Sequence, residues 1–191
     1  MEEISQISST ADITSTRAIE GTISEEVTSI HGEIYDSTTI PFETIEDDLV
    51  AMEKEAFGFE GYNEDILRGR FTNPETTAVI IRTSEGKVIG YTYATPIDGP
   101  GMPRANERKE VAYVARTVID KAYRKKGLIT TLIDPLEAKL KEKGYKYIER
   151  HAAVSNGYAD KIQKHYAGRI EAIQDIENPY YGSQRFFRIK L

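Results

Sequence analysis

Four consecutive residues carry the clearest chemical signal in this chain: Arg124-Lys125-Lys126-Gly127. They follow a run rich in β-branched and aromatic residues, Val111 to Ile119, and precede apolar residues at helical spacing that close on Gly144. The order is strand, basic turn, helix, strand. A helix opening on such a turn presents unpaired backbone N–H groups and the positive end of its dipole, and glycine removes the side chain that would keep an anion at a distance. The stretch reads as a phosphate seat. It also reads as an ordinary helix start with solvated lysines. Neither G-x-x-x-x-G-K-S/T nor G-x-G-x-x-G occurs, which excludes a nucleotide P-loop and a dinucleotide fingerprint. The chain has no cysteine, so a thiolate metal site, a disulfide and a cysteine nucleophile are all excluded. Its three histidines, His31, His151 and His165, show no metal-ligand spacing, and no metal is expected.

What is present is R-x-x-G-x-I, from Arg124 to Ile129, directly after the strand ending Thr117-Val118-Ile119 and the linker Asp120-Lys121-Ala122-Tyr123. This resembles the acetyl-coenzyme A signature of the GCN5-related N-acetyltransferases (GNAT), Q/R-x-x-G-x-G/A with a V-x-P-x-Y-R lead-in. Ile119 stands for the valine and Lys121 for the proline, Tyr123-Arg124 match, and Ile129 departs from the small closing residue. The resemblance runs over roughly Phe42 to Leu191. It implies an α/β (α+β) fold: a mixed, mostly antiparallel sheet with splayed fourth and fifth strands, flanked by helices.

For function, the resemblance implies an N-acetyltransferase that moves an acetyl group from acetyl-CoA to a primary amine of a small molecule or protein. The alternative is a catalytically inactive CoA-binding or regulatory module of the same fold, its loop having drifted at Ile129. The pantetheine arm would pair with Thr117, Val118 and Ile119. The pyrophosphate would sit on the N–H groups of Arg124, Lys125, Lys126, Gly127, Leu128 and Ile129, with the two lysines adding charge. Asn156 matches the family asparagine that contacts the cofactor arm, and it equally suits a helix cap. The chemistry needs an acid for the departing thiolate, and a tyrosine on the helix after the fifth strand usually serves. Tyr166 is the candidate, although Gly168 follows it by two residues instead of four, and the usual register selects Lys164. For the base, Glu110 and His151 are candidates, as is a base acting through water.

The elements that must position these residues follow from periodicity. Thr44 to Phe57 places Ile45, Leu49, Met52 and Ala56 on one helical face, and a shorter helix covers Glu64 to Arg70. Thr76 to Thr83 and Lys87 to Thr95 form a hairpin, followed by a breaker-rich surface loop, Pro96 to Lys109. Leu128, Leu132, Leu136 and Leu140 recur every four residues with Ile129 and Ile133 beside them, which is a core stripe; Pro135 predicts a kink or a restart at Asp134. Tyr145 to Val154 is a strand, Asn156 to Gly168 a helix, and Arg169 to Ile176 and Ser183 to Leu191 a closing pair of strands.

The net charge of −6 conceals a division: residues 1–48 hold 12 acids and one basic residue, and residues 49–191 hold 19 acids and 24 basic residues. A basic body suits an anionic cofactor, and no nucleic-acid module accompanies it. Ser and Thr make up 14 of the first 40 residues, so residues 1–32 are expected to form a flexible acidic extension, with a first strand near Glu33 to Ile40 and the acetyltransferase domain over 33–191. There is no apolar run of membrane-spanning length and no signal-peptide pattern at the start, which points to a cytoplasmic protein; a homodimer stays open.

Overall fold

The computed structural model describes residues 30–97, 109–179 and 182–191. Most of the expected acidic extension, most of the loop at 96–109 and the tip of the last hairpin lie outside the described residues. In chain order the elements are β1 (Gly32–Tyr35), α1 (Glu46–Phe57), α2 (Glu64–Phe71), β2 (Thr77–Arg82), β3 (Val88–Pro96), β4 (Val111–Ile119), α3 (Ile129–Glu142), β5 (Tyr147–Ala153), α4 (Tyr158–His165), β6 (Ile170–Asn178) and β7 (Gly182–Lys190). Short 3₁₀ turns lie at Phe42–Thr44, Gly58–Glu60 and Lys121–Tyr123.

All seven strands join one sheet in the order β1-β2-β3-β4-β5-β7-β6. Every neighbouring pair is antiparallel except β4 and β5, which are parallel and joined through α3. The sheet is thus mixed and mostly antiparallel, as the resemblance implied. Two cores cover its faces. Leu132, Leu136 and Leu140 of α3 and Ile162 of α4 pack on Val79, Ile81, Val114, Ile148 and Phe187. Leu49 of α1 and Leu67 and Phe71 of α2 pack on Ile80, Tyr91, Tyr93 and Val118. Alternate residues of β2 thus feed opposite cores, which explains why the strand reads as a continuous apolar run.

Three boundaries differ from expectation for local reasons. β1 stops at Tyr35 because Asp36 starts a turn: its Oδ1 accepts from the Thr38 N–H at 2.9 Å, and its carbonyl accepts from the Ile40 N–H at 2.8 Å. The helix after β5 begins only at Tyr158, after left-handed Gly157, and ends at His165. α3 runs through Pro135 without a restart. Proline removes the N–H that would have bonded the Thr131 carbonyl. That carbonyl faces Gly32 of β1, where a Cβ would overlap its oxygen. Gly32→Ala is therefore expected to destabilise the protein by about 1–3 kcal/mol through overpacking against backbone. A urea titration checks this, and an unchanged midpoint would mean that β1 can shift away from α3.

Candidate active site

β4 and β5 pair over only three positions, Val111 with Tyr147, Ala112 with Ile148 and Tyr113 with Glu149. Beyond that apex the strands part: β4 stays with β3 as far as Ile119, and β5 follows β7 as far as Ala153. A register shift in the β3–β4 ladder explains the divergence. Tyr93 opposes Arg116 and Ala94 opposes Val114, which leaves Ala115 as an extra residue on β4. Such a bulge bends its strand and breaks pairing locally. From Val114 onward the β4 edge facing β5 carries no strand partner.

The divergence opens a cavity of about 860 Å³. Residues Tyr113 to Ile119 of β4 and Arg150 to Ala153 of β5 form its walls. The basic turn and the start of α3 line its mouth, Asn156, Tyr158 and Lys161 close it on the α4 side, and Ala56 and Phe57 of α1 on the other. Its charged lining is cationic, with Arg116, Arg124, Lys125, Arg150 and Lys161 and no described Asp or Glu. Such a lining favours an anionic occupant.

At the mouth, Lys125 has φ 66° and Gly127 φ 80°. Two left-handed residues in one short turn lead directly into the unpaired N–H groups at the start of α3, and successive N–H groups in such turns are able to receive an anion. A Cβ at Gly127 would meet nothing within 4 Å, so the space in front of the turn is open. Arg124 serves chiefly as a clamp. Its Nε donates to the Ile119 carbonyl at 2.8 Å and its guanidinium forms an ion pair with Glu55 of α1, fixing the end of β4 relative to the turn. Lys126 lies over the Tyr123 ring at 5.1 Å and is absent from the cavity lining. Ile129, which departs from the signature, is half-buried, packs against the α3 core and still lines the mouth.

All the other residues expected to hold the donor line the cavity: Thr117, Val118, Ile119, Arg124, Lys125, Gly127, Leu128, Ile129 and Asn156. Asn156 also acts as a cap, its Oδ1 accepting from the Tyr158 N–H at 2.9 Å. The two residues read as catalytic are placed elsewhere. Tyr166 is fully buried in the core between α4 and the sheet and is not in the lining; burial raises its pKa, with Arg150 opposing and Glu137 adding to the rise. Glu110 precedes β4 at the end where the strands pair, and forms an ion pair with Lys146 at 2.6 Å. Lys164 is exposed and also outside the lining.

The cavity instead gathers His151, one of the two candidate bases, with residues that the sequence does not single out. Tyr113, the last paired residue of β4, shares a 2.9 Å hydrogen bond between its hydroxyl and Nδ1 of His151. Burial lowers the His151 pKa from its ordinary 6.5, with Glu149 partly opposing, so the ring is neutral at pH 7. On the opposite face of the sheet, Arg150 Nη2 donates to the Tyr158 hydroxyl at 2.6 Å and to Thr117 Oγ1 at 3.1 Å, spanning the cleft. One signal pointed to Arg150: strand alternation puts it with Ile148 and Ala152 on the buried face of β5.

Against known proteins, the sequence model described as the acetyltransferase (GNAT) family matches residues 41–164. The chain belongs to the GNAT acetyltransferase family. No curated protein matches it in sequence. Among solved structures, it is similar to Arabidopsis thaliana NAA60 in complex with a bisubstrate analogue, with a TM-score of 0.63 at 13% identity, covering 85% of this chain and 99% of that one. A GNAT family acetyltransferase from Elizabethkingia anophelis with acetyl-CoA bound gives 0.55 at 15% identity, covering 85% and 98%. An aminoglycoside 6'-N-acetyltransferase complexed with coenzyme A gives 0.62 at 13% identity, covering 83% and 96%. At these identities the likeness shows a shared GNAT fold. Among the described residues, no helix of this family member is long and apolar enough to cross a membrane.

Proposed function

We propose that this chain is an N-acetyltransferase that binds acetyl-CoA in the cleft between β4 and β5 and passes the acetyl group to a primary amine of a small molecule or protein. The observation that carries the reading is the conjunction of an open β4 edge with an anion seat at its end. From Ile119 back to Val114 is five residue rises, about 17 Å, so an extended arm anchored at the seat and paired along that edge reaches the apex. The residues fit the donor. Gly127 and the start of α3 receive its pyrophosphate, Lys125 adds charge, Asn156 faces the arm, and the cationic lining suits its phosphates.

When bound, acetyl-CoA supplies an activated thioester carbonyl. The chain's residues then handle two protons. With Nδ1–H donating to the Tyr113 hydroxyl, His151 keeps the Nε2 lone pair and takes the surplus proton of the attacking amine as the N–C bond forms. N–H groups on the open β4 edge near the Ala115 bulge stabilise the carbonyl oxygen as it gains charge. As the C–S bond breaks, the sulfur takes the electron pair and a proton from Tyr158. The hydroxyl of Tyr158 accepts from Arg150, so its own hydrogen is free to point into the cleft. The products are an amide and free CoA thiol. Proton exchange between His151, Tyr158 and solvent restores the starting state.

Tyr158 takes the place of Tyr166 as the acid, and of the two candidate bases His151 is kept over Glu110, because only Tyr158 and His151 line the cavity. The acceptor enters from the α1 side, past Phe57 and Arg116. A panel of small and peptide amines with acetyl-CoA, read by free thiol, tests the reading; amine-dependent release supports it, and none with any amine would favour the inactive CoA-binding module.

His151→Gln is expected to lower kcat by about 10²-fold or more with little change in acetyl-CoA affinity, as for loss of a general base. Because burial depresses the His151 pKa, the base is in its active form above that value. The acid limb of wild-type kcat/KM should therefore lie below pH 6.5. A limb above 6.5, or a profile unchanged in the variant, would remove His151 from the mechanism.

A further inference from the structure

The cleft holds a positive charge that nothing described in the chain neutralises. Arg150 is only 3% exposed, and both of its hydrogen bonds among the described residues leave from Nη2 and end on neutral hydroxyls. Its Nε has no acceptor, and no described carboxylate forms an ion pair with it. Two other deeply placed arginines are treated differently: Arg188 pairs with Glu149 at 2.9 Å and Arg116 with Glu53 at 3.5 Å. Burying a guanidinium without a counter-charge costs several kcal/mol, even when its hydrogen bonds are partly met. A hydroxyl pair explains how Arg150 is held in place. It does not explain why a full charge is kept there.

Position indicates what supplies the counter-charge. Arg150 is the first residue of β5 beyond the last β4–β5 pair, and its guanidinium reaches Thr117 and the Tyr158 hydroxyl, the group assigned to the departing sulfur, so it stands beside the reactive end of the donor. With the sulfur at the Tyr158 hydroxyl, 2.6 Å from Arg150 Nη2, a four-carbon acyl chain is long enough to bring its far end to the guanidinium. With no described Asp or Glu in the lining, an anionic acyl end meets attraction there without a competing carboxylate.

Building on the proposed acyl transfer, we propose that Arg150 receives a carboxylate at the far end of the acyl chain, so that the protein also takes CoA monothioesters of short dicarboxylic acids as donors. The bonds made and broken are those of acetyl transfer: N–C forms, C–S breaks, the amine proton goes to His151 and the thiolate is protonated. The distal carboxylate stays ionised and passes to the amide product unchanged.

Succinyl-CoA and butyryl-CoA are the probes, since their acyl groups have the same number of carbons and differ in ending on a carboxylate or a methyl. Dissociation constants are measured by calorimetry on the full chain. Wild type should bind succinyl-CoA about 10- to 100-fold tighter than butyryl-CoA, the range of a charge-assisted hydrogen bond. Arg150→Gln should bring that ratio near one, and Arg150→Lys should keep part of it. Equal or tighter binding of butyryl-CoA by wild type overturns the proposal, as does a preference for succinyl-CoA that survives in Arg150→Gln. If the variants do not fold, the wild-type comparison still decides. Failure to bind either ester or acetyl-CoA would overturn the acyl-transfer reading itself, and this proposal with it, whereas acetyl-CoA binding without a succinyl preference sinks this proposal alone.

Discussion

Gly127→Glu should cut acetyl-CoA affinity by about 100-fold or more while leaving a folded protein. The loss has two sources: charge-assisted hydrogen bonds to the pyrophosphate worth about 1.5–3 kcal/mol each, and repulsion between a carboxylate and the phosphates in the same seat. The fold is spared because the new Cβ meets nothing within 4 Å, so no packing is disturbed. The direct cost is a side chain at φ 80°, about 1–2 kcal/mol, partly offset because an acid at the start of α3 favours its positive end. Calorimetry with acetyl-CoA and a melting curve on the same sample separate these effects. Gly127→Ala should show the backbone cost and far less of the binding loss. Unchanged affinity in folded Gly127→Glu would place the pyrophosphate elsewhere.

Glu53→Ala should destabilise the protein by about 3–5 kcal/mol, the range for removing one partner of a buried ion pair. Glu53 of α1 is fully buried; it accepts from the Tyr91 hydroxyl and, at 2.8 Å, from the Tyr62 N–H, and its Oε1 lies 3.5 Å from Arg116 Nε. Arg116 is stacked between the rings of Phe57 at 4.4 Å and Tyr62 at 4.0 Å. Removing the carboxylate takes an ionic partner from Arg116 and leaves Tyr91 without its acceptor. It also loosens the wall that Phe57 and Arg116 give the acceptor side of the cavity. Glu53→Gln keeps acceptor capacity and should recover part of the loss. Denaturant midpoints measure both, and a loss under about 1 kcal/mol in Glu53→Ala would show that Arg116 does not depend on this carboxylate.

The sequence made the sheet legible because its strands follow simple rules. β-Branched runs gave β2, β3, β4 and β5, and the four-residue leucine spacing gave α3. The basic turn was legible for the same reason, since an anion seat at a helix start is a local property of chain order. Which tyrosine lines the cavity is not legible, because local order does not decide it. Tyr166 and Tyr158 occupy the same short helix region, and only the helix phase, reset by left-handed Gly157, turns Tyr158 into the cleft and Tyr166 into the core. Pro135 misled for a similar reason. The freed Thr131 carbonyl lies against Gly32, about a hundred residues away in sequence, a contact that no local pattern announces. The Tyr113–His151 pair joins residues 38 apart, and neither carries a motif. His151 is legible as a candidate base, and Arg150 as a charge on the apolar face of a strand.

The account rests on the donor lying along β4, and amide hydrogen exchange with and without acetyl-CoA tests that most directly. The expected result is slowed exchange at N–H groups in two stretches, 114–119 on the open edge and 125–131 at the basic turn and the start of α3. Exchange in β2 should be unchanged, because its strand neighbours are already in place. Tight binding with protection elsewhere, and none in these two stretches, would contradict the account.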